Sequence, residues 1–344
     1  MIAEDLIGKT VVNLENEKGL VIGVDGEGRF EVQYEDHTST YIQDAFERGY
    51  LTIDDPLVNQ RIKLDKINRG MKKLTAEVNR HLTELNNLIG LDAIKERVQD
   101  LVCEIKISKL RDAYDLKYPE ISKHLVFIGN PGTGKTTVAR IIGKIYKALG
   151  VLSKGQFVEA DRSTLVAGYQ GQTAIKTKEV IAKAIGGILF IDEAYALVRG
   201  RDDDFGYEAL DTLTKEIEDH RSNLMVIVAG YKKEMEDFLT ANPGLCSRFK
   251  TIINFDDYSD KELYLIFKNL LKDNDYILSK EADKKMKSYF KSHQNMAGNG
   301  REVRNHFEEI VRYQSKRLSA LDVVSKEMLM TIEVEDLKGF EEQK

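Results

Sequence analysis

Gly129-Asn130-Pro131-Gly132-Thr133-Gly134-Lys135-Thr136 satisfies every fixed position of the phosphate-binding pattern G-x-x-x-x-G-K-[ST]. Its flanks fit as well. His124-Leu125-Val126-Phe127-Ile128 reads as a buried strand running in, and Thr137-Val138-Ala139-Arg140-Ile141-Ile142 as a helix running out. Glycines let the backbone curl so that N–H groups converge on the β- and γ-phosphates, with the positive end of a helix behind them. Lys135 adds a point charge, and the Thr136 hydroxyl is a ligand for Mg²⁺. Matches that are mere Gly-rich turns mostly lack this strand-and-helix setting.

Outward from the loop, residues 89–255 alternate between strand and helix patterns. Leu125–Ile128, Phe157–Ala160, Ile188–Ile191, Met225–Val228 and Thr251–Phe255 are near-continuous apolar runs, as in a parallel sheet covered on both faces. The intervening segments carry helical stripes, such as Phe205, Ala209, Leu210, Leu213 and Ile217. This predicts a doubly wound α/β domain whose ligand lies beyond the carboxyl ends of the strands. Ile188-Leu189-Phe190-Ile191 runs into Asp192-Glu193, about fifty residues after the loop. In that company Asp192 is expected in the Mg²⁺ shell, and Glu193 as the general base that polarises the attacking water.

On the N-terminal side, Thr10–Leu14, Gly19–Val24, Arg29–Tyr34 and Thr40–Ile42 read as short strands with turns at residues 16–19 and 25–28. Residues 1–52 therefore suggest a small SH3-like β-barrel, closed so that no edge is exposed. Its acidic residues, such as Glu15, Glu17, Asp25, Glu27, Glu31, Glu35 and Asp36, favour a protein partner over nucleic acid, with a purely structural cap as an equal alternative. Residues 53–85 read as a helical linker with a stripe of Leu64, Ile67, Met71, Leu74, Val78, His81, Leu85 and Leu88. A coiled-coil seam is possible on this spacing, but a connecting helix packed on its neighbours is preferred, and Gly70 suggests a break into two shorter helices. From 256 to 344 the strand signal fades. Ser259-Asp260-Lys261-Glu262 is a capping box opening a helix, further helices are expected near 280–292 and 301–318, and Thr331 to Val334 is a candidate short strand.

Composition limits the function classes. The 344 residues carry a net charge of −6 with 42% hydrophobic and 31% charged residues, as in an ordinary globular protein, and give no basic field for nucleic acid. Cys103 and Cys246 lack metal-ligand spacing, and the first residues show no leader pattern. The expectation is a soluble cytoplasmic protein with reduced thiols and no membrane span.

Together these segments resemble the AAA+ ATPases, and their wording resembles the CbxX/CfqX group. That group takes in red-type Rubisco activases, a stage V sporulation protein and the ATPase domain of type VII secretion proteins. The resemblance is carried by Gly129–Arg140, Gly186–Tyr195, Ala229-Gly230-Tyr231, Asn242–Phe249 and Gly298–Asn305, and covers roughly residues 86–320. It implies an ATP-hydrolysing large domain at 86–255, a helical lid at 256–344, ATP and Mg²⁺ as ligands, and assembly of copies into a ring, expected as a hexamer. It further implies that Arg248 is an arginine finger acting on a neighbouring subunit, and that Arg301 is the lid's sensor, with Arg304 one turn on as competitor. Leu88-Ile89-Gly90-Leu91 would pack on adenine. Tyr169, in Leu165–Gly171, would grip a protein client in the channel, against the alternative of a tyrosine folded onto its own helix. Arg199–Asp204 could form a second pore loop, though a solvated turn is preferred. One departure stands out: the fourth strand ends in Val228-Ala229-Gly230-Tyr231, without the polar residue AAA+ proteins usually place there. Two other classes stay open, a nucleotide-controlled assembly scaffold without threading and a nucleic-acid-remodelling ATPase. Substrate-stimulated hydrolysis that depends on Tyr169 separates the first, and salt-dependent nucleic-acid binding the second.

Overall fold

The computed structural model describes residues 6–340 other than 26, 43, 47, 55, 120–121, 170, 199–203, 242 and 294–295, and leaves out the side chains of 56–66, 68, 71, 73, 204, 241 and 243. Arg199 to Asp203 of the suggested second pore loop, Asn242, and the stripe side chains of Leu64 and Met71 thus lie outside the described residues. Contacts divide the chain into two units, Met1–Glu77 with Lys109–Leu116, and Val78–Ser108 with Lys117–Lys344.

The first unit holds β1 (Thr10–Asn13), β2 (Lys18–Val24), β3 (Phe30–Gln33), β4 (Thr38–Tyr41) and β5 (Leu51–Ile53) in one antiparallel sheet ordered β4-β3-β2-β1-β5. It is a small β domain built around Val11, Val21, Phe30, Val32, Leu51 and Ile53. Alternation along β2 buries Gly19 and Val21 and leaves Leu20 and Ile22 exposed, as a pleated sheet with one covered face requires. The fifth strand is an addition to the four the sequence suggested; three residues carry too little pattern, and β5 exists through its pairing with β1. β4 and β5 end the sheet order without pairing with each other among the described residues.

Helix α1 (Pro56–Asn86) is 31 residues long and runs through Gly70 without the expected break. One solvated glycine costs about 1 kcal/mol in a helix. Further along the helix Val78 and Leu85 are buried, and Glu84 pairs with Lys144 at 2.6 Å. A short turn leads to α2 (Asp92–Ala113).

The second unit contains the parallel sheet. Its strands are β6 (Leu125–Gly129), β7 (Phe157–Ala160), β8 (Ile188–Ile191), β9 (Met225–Gly230) and β10 (Thr251–Phe255), ordered β10-β6-β9-β8-β7. β8 and β9 are buried along their whole length, which is why they read as unbroken apolar runs. One face packs Val126, Leu189, Ile191, Val226 and Val228 against Ile181, Leu210, Leu213 and Phe238. These come from α5 (Thr173–Ala184), α6 (Asp204–Asp219) and α7 (Lys232–Ala241). On the other face α3 (Lys135–Ala148) approaches so closely that a Cβ on Gly143 would stand 3.0 Å from Ile188 Cδ1. The remaining helices here are α4 (Arg162–Leu165) and α8 (Pro243–Arg248). Because β6 lies between β9 and β10, the chain order reverses at β6, and its carboxyl end opens on the crevice where such sheets bind ligands.

The lid follows as α9 (Asp260–Asp273), β11 (Ile277–Leu278), α10 (Lys280–Ser292), α11 (Asn299–Leu318), α12 (Lys326–Met330) and β12 (Thr331–Ile332). The capping box forms: Ser259 Oγ accepts from the Glu262 N–H, and Glu262 accepts from the Ser259 N–H at 2.8 Å. Phe267, Met286, Phe290, Val303 and Ile310 fill its core. Asp336 accepts two 2.8 Å bonds from Arg317.

One buried polar contact ties the segment entering β6 to its neighbour β9. His124, just before β6, accepts at Nδ1 from the Val226 N–H of β9 at 3.0 Å, so the ring is neutral with its proton on Nε2. Burial, helped by the charges of Lys123 and Arg248, pushes its pKa from the usual 6.5 to about 4. The native state therefore resists a proton that the unfolded chain accepts. Its contribution to stability is complete above pH 6.5 and is lost progressively as pH falls from 6.5 to below 4, on the order of 3 kcal/mol in all. Urea unfolding at pH 7 and 4.5 should show this loss in wild type but not in His124→Gln, which keeps an acceptor without a titrating ring. Equal pH dependence in both would refute it.

Candidate functional site

The phosphate loop connects β6 to α3, with Gly134 as the residue before the first helical turn. Gly132 has φ +72°, and a Cβ there would collide with the Gly298 carbonyl and stand 2.7 Å from the Arg301 nitrogen. The loop's shape thus depends on glycine for both conformation and space. Thr133 is buried and donates from Oγ1 to the Asn130 carbonyl at 2.8 Å.

A cavity of about 630 Å³ opens over this loop, a size suited to a nucleotide. Gly129, Pro131, Gly132, Gly134, Lys135, Thr136 and Thr137 line one wall. Asp192 and Glu193, from the carboxyl end of β8, stand on the second. Asn87, Leu88, Ile89 and Leu91 from the α1–α2 turn form a third with Tyr258 and the α9 residues Ile266, Asn269, Leu270 and Asp273. Gly300, Arg301 and Arg304 of α11 close the fourth. Apolar side chains on the third wall suit a base, and convergent charges on the others suit phosphates.

Lys135 donates from Nζ to the carbonyls of Gly129 at 2.8 Å and Asn130 at 2.7 Å. Burial lowers its pKa; the charge of Asp192 opposes this and that of Arg301 adds to it. Asp192 Oδ1 accepts from the Glu193 N–H at 3.0 Å. Glu193 has φ +48°, a left-handed conformation uncommon for a non-glycine residue and one that clusters at functional sites. Thr136 and Asp192, a hydroxyl and a carboxylate in one cavity, are hard oxygen donors of the kind Mg²⁺ takes alongside phosphate oxygens.

Several expected residues stand elsewhere. Gly90 lies in the α1–α2 turn at φ +61° without lining the cavity. Asn130 turns its side chain to Asp257, away from the cavity. Arg248 ends α8 outside the cavity, its Nη2 3.0 Å from Glu218 and its Nη1 donating to the Gly244 carbonyl at 2.9 Å. Tyr169 is 74% exposed on the loop between α4 and α5. That loop is pinned at its base, where the Ala167 N–H donates to Thr173 Oγ1 at 3.1 Å and Lys176 Nζ to the Val166 carbonyl at 2.8 Å. At the end of β9, where a polar residue was missing, Tyr231 lines the cavity and packs 5.8 Å from Tyr195. Tyr258, Asn269 and Asp273 were not foreseen. Only the adjacency of Tyr258 to the end of β10 could have signalled it, since the others are ordinary polar positions of a lid helix.

Comparisons with known proteins agree with this architecture. Residues 125–257 match the ATPase family associated with various cellular activities (AAA), and residues 259–344 the AAA lid domain. The chain is 45% identical over 264 residues to stage V sporulation protein K of Bacillus subtilis (strain 168), covering 75% of this chain and 82% of that protein. It is 43% identical over 249 residues to the ESX-1 secretion system protein EccA1 of Mycobacterium leprae (strain TN), covering 69% of this chain and 44% of that longer protein. The crystal structure of the FIGL-1 AAA domain in complex with ADP shares the fold, with a TM-score of 0.54 at 17% identity over 74% of this chain and 82% of that one. With a phosphate loop, an acidic strand end and a lid arranged around one cavity, this chain belongs to the AAA family of ATPases.

Proposed function

We propose that this ATPase assembles into a ring, a hexamer by expectation, and uses hydrolysis to move Tyr169 against a protein client. The observation that carries this proposal is that Asp192 and Glu193 line two cavities. One is the nucleotide cavity; the other, of about 510 Å³, has Asp161, Arg162, Ala167 and Gly168 in its wall, at the base of the Tyr169 loop. A change of charge beside these carboxylates is therefore next to the segment that carries the exposed tyrosine. An aromatic ring on a loop held at its base offers sequence-tolerant grip on a peptide.

The residues that the sequence pointed to have these roles in the scheme. Lys135 and the loop N–H groups hold the phosphates, and Leu88 and Ile89 pack on the base. Glu193 takes the proton of the attacking water, its left-handed backbone fixing where the carboxylate starts. Mg²⁺ held by Thr136 and Asp192 would neutralise charge on the phosphate oxygens. Arg301, whose charge already reaches Lys135, senses the γ-phosphate from the lid. Arg248 lies outside its own subunit's cavity and would serve the next subunit, once drawn from Glu218. Among the described residues no helix is long and apolar enough to cross a membrane.

Replacing Glu193 by Gln should slow turnover by at least about 100-fold while ATP stays bound, as measured by phosphate release and nucleotide titration. Wild-type turnover would exclude Glu193 as the base. Arg248→Ala should cost roughly 10³-fold with binding intact. Mixing it with Lys135→Ala subunits, which keep the finger, should restore part of the activity; no restoration counts against a shared site. Tyr169→Ala should keep most ATPase activity and lose client stimulation of it. Client stimulation that survives Tyr169→Ala excludes threading and favours a scaffold.

A further inference from the structure

The phosphate loop and the lid are joined through one carboxylate. Lys135 Nζ rests on the Asn130 carbonyl at 2.7 Å. The Asn130 side chain points the opposite way and donates from Nδ2 to both oxygens of Asp257, at 3.0 and 2.9 Å. Asp257 lies between β10 and α9, and its Oδ1 also accepts from Asn299 Nδ2 at 2.7 Å. Asn299 returns its own oxygen to the Tyr258 N–H at 2.9 Å. A backbone contact runs alongside, from the Gly300 N–H to the Gly132 carbonyl at 3.1 Å.

Asn299 is the informative member. It is fully buried and opens α11 at φ +48°, two residues before Arg301. A left-handed backbone is unfavourable for a non-glycine residue, least so for Asn. Burial of an amide is tolerated only with its hydrogen bonds made. Both conditions are met through Asp257 and Tyr258, so the position of the first α11 turn is set by these bonds. A continuous line of contacts therefore leads from the lysine that meets the phosphates to the arginine that closes over them.

We propose that Asp257 is a positioning residue for ATP hydrolysis. By clamping Asn130 of the phosphate loop to Asn299 of the lid, it places Arg301 against the phosphates. This rests on Arg301 acting at the γ-phosphate. Asp257 itself touches no nucleotide in this scheme; it makes the loop and the sensor arginine move as one body, so that occupancy of the Lys135 site reaches the lid.

The test uses the full chain in four forms: wild type, Asp257→Ala, Arg301→Ala and the double variant. Steady-state ATPase and titration with fluorescent ATP and ADP analogues are measured for each. Asp257→Ala should lower kcat roughly tenfold with KM for ATP within about threefold, and narrow the preference for ATP over ADP. The double variant should be no slower than Arg301→Ala, because a residue acting through Arg301 has nothing further to remove. Additive losses overturn the inference, as does a wild-type Asp257→Ala beside an impaired Arg301→Ala. Wild-type activity in Arg301→Ala instead overturns the sensor assignment and the inference with it. Should Asp257→Ala fail to fold, Asn130→Asp sets carboxylate against carboxylate and should lose activity. Adding Asp257→Asn restores a donor–acceptor pair and should recover most of kcat; no recovery overturns the clamp.

Discussion

The phosphate loop has no room for a side chain on either flank, and the site takes its form from that. A Cβ on Gly129 would collide with the Phe255 carbonyl of β10, and one on Gly132 with the Gly298 carbonyl just before α11. The loop is thus pressed between the last sheet strand and the first turn of the lid's long helix. That contact needs β10 beside β6 and needs α11 to return to the sheet's carboxyl edge. The sheet order and the lid's chain path supply both.

The energetics of the two sides of this site differ. The sheet beneath it is held by dry apolar packing, where strands such as β8 and β9 expose nothing. Above it, polar groups meet in pairs and triplets, and Glu193, Asn299 and the cavity-lining Leu91 hold left-handed backbones. Such conformations persist where the surroundings over-determine them. Here the surroundings are a rigid sheet on one side and a satisfied set of hydrogen bonds on the other. A strained residue on a stiff base fixes where its carboxylate starts, as the general-base role proposed for Glu193 needs.

The parts proposed to act beyond the subunit are built differently. The Tyr169 loop is bonded at its base and open at its tip, and Arg248 is held by Glu218 at the end of a short helix. Tyr169 projects from an anchored base, whereas the Arg248 guanidinium is held back against its own subunit. Glu218 and the Gly244 carbonyl are replaceable partners, weak enough near the surface to yield to a stronger one.

Much of this was legible in the residues themselves. The loop 129–136, the five apolar strands, Asp192-Glu193 at a strand end and the Ser259–Glu262 cap are short patterns with fixed spacing, and local chemistry determines them. Burial on both faces is written into a strand as an apolar run, and a helix start into a hydroxyl followed by an acid. The Asn130–Asp257–Asn299 contact was not legible. Asn130 and Asp257 are 127 positions apart, and Asn299 lies 42 further on, each an ordinary polar residue in its own segment. β5 escaped for the same reason, since it depends on pairing with β1. Local sequence determined the phosphate loop, the five apolar strands and the Ser259–Glu262 cap. Only tertiary packing decided which distant groups meet, because a hydrogen bond's partner is chosen by where the chain comes to rest.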